Sequence, residues 1–155
     1  MEEKIGRVTL DLSRYPGEDL YSDGPVEEEL LQIAQNYKEE ELNQVIAQRK
    51  SWPVLYHFSH IRQNILEWLP IKKEDKVLEI GSGCGAITGA LARKAGEVTC
   101  IELSKMRSTI NAYRNQEHEN IKILVGNFQD IEKNLTETFD YITLIGVFEY
   151  SEGYI

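Results

Sequence analysis

An apolar run that ends in three alternate glycines constrains this chain more than any other feature: Val77-Leu78-Glu79-Ile80-Gly81-Ser82-Gly83-Cys84-Gly85. The first four residues read as a short buried strand. The turn that follows sheds side chains so that backbone can approach a ligand. Ala86, Ile87, Ala90 and Leu91 then recur at helical spacing, and that helix aims its amide-rich end at whatever the turn holds. The pattern repeats downstream. Strands are expected over 98–101, 121–125 and 141–147, with a helix from Ser104 carrying Met106, Ile110 and Tyr113. Strands alternating with helices at this spacing predict an α/β fold, a parallel sheet with right-handed crossovers.

The first part of the chain is written differently. Residues 1–24 hold scattered apolar positions and turn formers, notably Tyr15-Pro16-Gly17 and Ser22-Asp23-Gly24-Pro25. After Pro25, read as a first helical residue, Glu27, Glu28 and Glu29 sit where a helix N-terminus favours negative charge. Val26, Leu30, Ile33, Ala34 and Tyr37 follow at helical spacing, and the pattern restarts at Leu42, Val45 and Ile46. A second long helix is expected from Ser51 as cap to its stop at Pro70, with Val54, Phe58, Ile61, Ile65, Trp68 and Leu69 on its apolar face. The division is therefore an acidic arm with helices over 1–70 and a sheet portion over 71–155.

Composition sets the class. In 155 residues, 41% apolar content suffices for a core. The formal net charge is −9, with 12 acids and 6 bases in residues 1–50. That balance argues against a basic face for nucleic acid or an anionic membrane. Cys84 and Cys100 form no CxxC pair, which argues against a disulfide framework and a zinc site. The start carries no apolar signal-peptide segment. The expectation is a cytoplasmic protein with no metal and no membrane partner.

Glu102 follows the second strand, 21 residues after Gly81. In nucleoside-binding α/β folds an acid there accepts hydrogen bonds from the ribose hydroxyls. The third strand ends in Gly126-Asn127-Phe128, a polar side chain to read an adenine edge beside an apolar one to pack on the ring. Three successive strand ends thus supply a turn, a ribose acceptor and a base reader. Gly81, Gly83 and Ala86 formally satisfy the G-x-G-x-x-G/A of NAD-type turns, which keeps an NAD(P)-dependent oxidoreductase open. Glu79, inside the strand before the turn, suits a cationic ligand better than a pyrophosphate, and the third glycine, Gly85, comes early for a dinucleotide turn.

The stretch from Glu79 to Gly85 resembles motif I of the class I S-adenosylmethionine-dependent methyltransferases. Glu102 matches the family's ribose acid and Gly126-Asn127-Phe128 its adenine-contact position. The run Phe139-Asp140-Tyr141-Ile142-Thr143-Leu144-Ile145-Gly146-Val147-Phe148-Glu149-Tyr150 resembles its fourth-strand motif. The likeness covers roughly residues 75–150 and implies a Rossmann-like sheet with the preceding helices as a lid. It implies S-adenosyl-L-methionine as cofactor. Glu79, Gly81 and Gly83 would surround the methionyl end, Glu102 would hold the ribose, Asn127 and Phe128 the adenine, and Ile145 to Phe148 would border the methyl group, with Ser82, Gly85 and Leu103 also in contact with the cofactor. The family usually has Asp where this chain has Asn127, and its sheet has seven strands. The chain accordingly reads as a partial fold, either a fragment or one whose sheet a partner completes. Its fourth strand would be an apolar edge prone to self-association.

Methyl transfer from a sulfonium asks mainly for alignment and water exclusion, and a hydroxyl acceptor profits from a general base. His57, on the helix before the glycine strand, is the candidate, with His60 as an alternative; a packed or solvent-facing helical histidine is the plain reading of both. Glu149 is either a substrate contact or a solvated acid. The cluster of Trp52, Trp68 and Tyr56 reads as helix packing, and Cys84 as a small residue in a tight turn. The fourth strand lacks the Asn/Asp-Pro-Pro-Tyr of amino-methylating nucleic-acid enzymes, and there is no Pro-Cys nucleophile. With the acidic charge, this points to a small-molecule or saccharide acceptor and no nucleic-acid partner. A methyltransferase-like scaffold without activity is the non-enzymatic alternative.

Overall fold

The computed structural model describes residues 1–147. Among the described residues six strands form one sheet: β1 (Glu2–Ile5), β2 (Val8–Arg14), β3 (Lys76–Ile80), β4 (Glu97–Glu102), β5 (Ile121–Gly126) and β6 (Tyr141–Leu144). Their order is β1-β2-β5-β4-β3-β6. All neighbours run parallel except the β1–β2 hairpin. The expected α/β class and the parallel order of the four sheet strands are as read from sequence. Among the described residues β6 is an edge strand, with Ile142 exposed.

Residues 2–14 depart from the reading as an irregular arm. Val8, Leu10 and Leu12 are buried and alternate with half-buried Thr9 and Asp11, the period-2 signature of a strand. β2 pairs with β5, Leu10 opposite Ile123. Gly6, in the left-handed region with φ of 56°, turns the hairpin against the backbone of Gln116, where a Cβ would collide.

The described residues also hold seven α-helices, in chain order: α1 (Val26–Asn36), α2 (Leu42–Arg49), α3 (Trp52–Phe58), α4 (Asn64–Glu67), α5 (Thr88–Lys94), α6 (Lys105–Arg114) and α7 (Phe128–Ile131). The single helix expected from Ser51 to Pro70 is instead broken. Ser59 adopts an extended conformation and its hydroxyl accepts the Ile61 amide, so a 3₁₀ turn over His60–Gln63 intervenes. A side chain that bonds local backbone competes with helix continuation.

One sheet face carries the larger core, where Val8, Leu10, Val77, Val98, Cys100, Ile123 and Val125 meet Ala90, Leu91 and Ala112 of α5 and α6. The helices α1, α2 and α3 form a second core with α6: Leu30, Ile33, Leu42, Val45, Val54 and Phe58 enclose Ile110 and reach Cys84 in the glycine turn. This second core seats the helical cover at the carboxyl ends of the strands. Among the described residues no helix is long and apolar enough to cross a membrane.

Candidate functional site

Parallel strands deliver their carboxyl ends to one rim, and ligands of open α/β sheets bind there. A cavity of about 520 Å³ lies at this rim. Its floor is made of Glu79 to Cys84 after β3, Ile101 to Leu103 after β4, Gly126 to Phe128 after β5, and Ile145 to Val147 after β6; the helical cover supplies Trp52, Tyr56, His57 and Arg62.

The glycine turn is held by backbone. The Gly81 amide donates to the Ile101 carbonyl at 2.8 Å, and Gly81, Gly83 and Gly85 all have positive φ, at 73°, 53° and 81°. Such angles cost an L-residue roughly 1–2 kcal/mol, so glycine fits here. The three glycines differ in what they face. A Cβ on Gly83 would meet nothing within 4 Å, whereas one on Gly85 would collide with the side chains of Asn111 and Asn115. Gly85, expected to contact the cofactor, is not among the residues lining the cavity. It lets α6 approach the turn.

Two buried acids lie at the ends of β3 and β4 and bind the turn and its neighbours. Glu102 is buried; its Oε2 accepts the Gly83 amide at 2.7 Å and its Oε1 the Ser104 amide at 3.1 Å. It therefore ties the turn to the end of β4 and keeps remaining lone pairs for a ligand. Burial raises its pKa against the lowering effect of those amides. Glu79 is also buried. Its Oε2 accepts from the Thr88 hydroxyl at 2.6 Å and from the Cys100 thiol at 3.5 Å. Burial, offset in part by the Thr88 bond, pushes Glu79 up to about 7. The network continues from Thr88 to Asn111 and on to Asn115, whose Nδ2 reaches the Gly85 carbonyl.

Asn127 lines the cavity, but its Oδ1 caps α7 by accepting the Gln129 amide at 2.9 Å. Phe128, Ser82, Leu103 and Ile145 also line the cavity. Ser82 Oγ is buried and has no hydrogen-bond partner among the described residues. A buried hydroxyl without a partner costs about 1–3 kcal/mol. Cys84 is buried with its thiol pushed up to about 12 by desolvation, which agrees with a small turn residue rather than a nucleophile.

His57 is buried in the cavity wall, edge-on to the Tyr56 ring at 5.0 Å and 87°. Burial, together with the charge of Arg107, lowers its pKa to about 4, so the ring is neutral near pH 7. His60 instead bonds Asn43 on the exposed side. Glu149 and Phe148 lie outside the described residues. The reading of Trp52, Trp68 and Tyr56 as helix packing is corrected: they are 71%, 75% and 42% exposed. Val54 and Phe58 on the same helix fill the core position instead.

Sequence reading missed the segment between β2 and α1. Asp19 accepts from the Lys105 and Met106 amides, at 2.6 and 3.0 Å, and from the Ser104 hydroxyl. It thereby caps α6 beside Glu102. Arg107 gathers the segment. Its Nε donates to buried Glu27 at 2.9 Å, its Nη2 to Asp23, and its guanidinium lies 4.4 Å over the Tyr21 ring. Tyr21, Asp23 and Arg107 all border the cavity. No sequence signal pairs Arg107 with acids some 80 positions away.

The family profile described as "Methyltransferase domain" matches residues 77–153. Ribosomal RNA small subunit methyltransferase A of Borreliella burgdorferi is 37% identical over 98 residues, which are 63% of this chain and 35% of that protein. The rRNA adenine N-6-methyltransferase of Bacillus licheniformis is 33% identical over 97 residues, 63% of this chain and 33% of that protein. The chain thus spans about a third of the length of these relatives. Among solved structures, a dimethyladenosine transferase from Plasmodium falciparum superposes with a TM-score of 0.44 at 26% identity, covering 54% of this chain and 29% of that one. The relatives' names overturn the expectation of a small-molecule or saccharide acceptor with no nucleic-acid partner. That expectation rested on two missing motifs and on net charge; net charge sums the whole surface, whereas attraction to phosphate depends on where individual cations stand.

Proposed function

We propose that this chain, which belongs to the class I S-adenosylmethionine-dependent methyltransferases, transfers a methyl group to a base of RNA, ribosomal RNA being the acceptor that its relatives' names support. The cofactor is S-adenosylmethionine. The observation that carries the reading is the single cavity in which the glycine turn, both buried acids, Asn127 and Phe128 meet the aromatic residues of α3.

The donor set fits the cofactor. Ser82 lines the cavity and Gly83 leaves open space beside its backbone. Glu102 is assigned to the ribose, Glu79 to the methionyl ammonium, Asn127 through its Nδ2 and Phe128 to the adenine, and Ile145 to the methyl end. S-adenosylmethionine bound there supplies an activated methyl on a sulfonium. The protein's work is then to align an acceptor atom and exclude water, which can contribute roughly 7–11 kcal/mol. The helices between residues 26 and 67 act as the lid over a cofactor portion that begins near residue 71. His57, neutral and in the cavity wall, is the group assigned to accept the proton that the acceptor releases. A cytoplasmic setting agrees with two buried free thiols.

Calorimetric titration of the purified chain with S-adenosylhomocysteine, with NAD as control, tests the cofactor class. Saturable binding that Glu102→Ala removes supports it, and binding of NAD alone sinks it. Transfer of radiolabelled methyl to ribosomal RNA, located by nuclease digestion, tests the acceptor.

A further inference from the structure

We propose that Trp52, backed by Tyr56 and Arg62, is the platform on which the acceptor base stacks beside the methyl-donor site. This rests on the reading of the chain as a base methyltransferase and adds which residues hold the base. Trp52 and Tyr56 are one helical turn apart on α3, so both present to one face. Their ring centroids are 6.2 Å apart with planes tilted by 35°. The two rings already touch, and a third ring therefore adds to the outer face of Trp52 rather than slipping between them.

Three observations point to a nucleotide. First, Trp52 contributes nothing to the core: Val54 and Phe58 of the same short helix are fully buried, while Trp52 is 71% exposed. A large aromatic left in water at a cavity mouth is an uncovered binding face. Second, Trp52, Tyr56 and Arg62 share their cavity with Gly81, Gly83 and Val147, so a ring on Trp52 adjoins the cofactor turn. Third, the charge is complementary. Arg62 lies 4.5 Å over the Tyr56 ring and has no ion pair among the described residues, whereas Arg107 and Arg114 are committed to Glu27 and Glu39. A planar cation beside a free aromatic face takes the phosphate next to a stacked base. A sugar acceptor would use the ring without needing the cation, and an apolar protein segment would need neither cation nor cofactor turn.

Trp68, equally exposed but absent from the cavity lining, makes the test direct. In a Trp68→Phe variant the sole tryptophan is Trp52. Titration of that variant with a single-stranded adenine-rich RNA hexamer should quench its fluorescence. Binding of the labelled hexamer should weaken roughly five- to a hundredfold in Trp52→Ala and less in Trp52→Phe. Arg62→Gln should reduce the salt slope by about one. S-adenosylhomocysteine binding should be unchanged in Trp52→Ala, which also verifies folding. Equal hexamer affinity in Trp52→Ala and the parent overturns the platform, as does a parallel loss of S-adenosylhomocysteine binding, which would make Trp52 part of the cofactor cover. No hexamer binding by the parent, with S-adenosylhomocysteine still bound, overturns the platform and leaves the methyltransferase reading standing. Loss of both ligands in the parent overturns both.

Discussion

The strand ends and the helical cover enclose the same cavity by different means. At the strand ends position is set by backbone: the Gly81 amide on Ile101, the Gly83 amide on Glu102, and glycines where side chains would be strained. In the cover it is set by side chains. Asp19 caps α6, Arg107 collects Glu27, Asp23 and Tyr21, and Trp52 and Tyr56 stand in solvent. Backbone bonds inside a packed sheet have few alternative arrangements, which suits a cofactor of constant shape. The segment between β2 and α1, fastened by side-chain contacts to α6, can be repositioned at a lower cost than the sheet, which suits an acceptor that must enter and leave.

The largest test of this contrast is Arg107→Met. Glu27 is only 2% exposed, and removing its cation leaves a buried carboxylate unpaired. Loss of one partner from such a pair costs about 3–5 kcal/mol, and thermal unfolding should fall by several degrees. The double variant Arg107→Met with Glu27→Gln should recover part of the loss. A single variant as stable as the parent would mean that the cover is held elsewhere.

A smaller effect separates the two roles of glycine within the strand-end region. Gly85→Ala places a methyl against Asn111 in a left-handed conformation, and should destabilise by about 2–3 kcal/mol. Gly83→Ala has the same kind of φ but open space. It should cost about 1 kcal/mol in stability, yet weaken S-adenosylhomocysteine at least tenfold, because its methyl enters the cavity. Thermal melts and calorimetry on both variants check the pair. Equal ligand losses would show that the turn acts as one unit.

The same contrast explains what could be read from the chain. The sheet strands, the turn and Glu102 were legible because each is local: a hydrophobic period, a glycine spacing, an acid at a strand end. The packing of Gly85 against Asn111 on α6 was not legible, because that contact is made only by tertiary packing. β2 carried its signal in the alternation of Val8, Leu10 and Leu12, but the polar β1 beside it, Glu-Glu-Lys-Ile, has none. The Arg107 cluster and the exposure of Trp52 depend on how α3 and the segment before α1 dock. Helical spacing put Val54, Phe58, Ile61, Ile65 and Trp68 on one face, whereas docking buries only Val54 and Phe58.

The mildest test concerns Glu79, where the rigid region is asked to carry a charge that its surroundings disfavour. Burial holds its pKa near 7, above the usual 4.5. The fold therefore favours the protonated form. Glu79 lowers stability as pH rises from about 4.5 through 7, with no further change above. A cationic methionyl group needs the ionised form, so ligand affinity runs the other way, rising with pH up to about 7 and levelling beyond it. Between pH 6 and pH 8 S-adenosylhomocysteine should gain about tenfold, one pKa unit being about 1.4 kcal/mol. Glu79→Gln should flatten both profiles and bind more weakly at pH 8, while melting higher there than the parent. Glu102, Thr88, Cys100 and Arg62 are the groups that act on this carboxyl. If the pH dependence of binding persists in Glu79→Gln, Glu102 is the titrating acid, because its carboxyl is the other one at the rim that burial raises. The ligand's charge would then be met at the end of β4, leaving Glu79 to the Thr88–Asn111 network that seats α6.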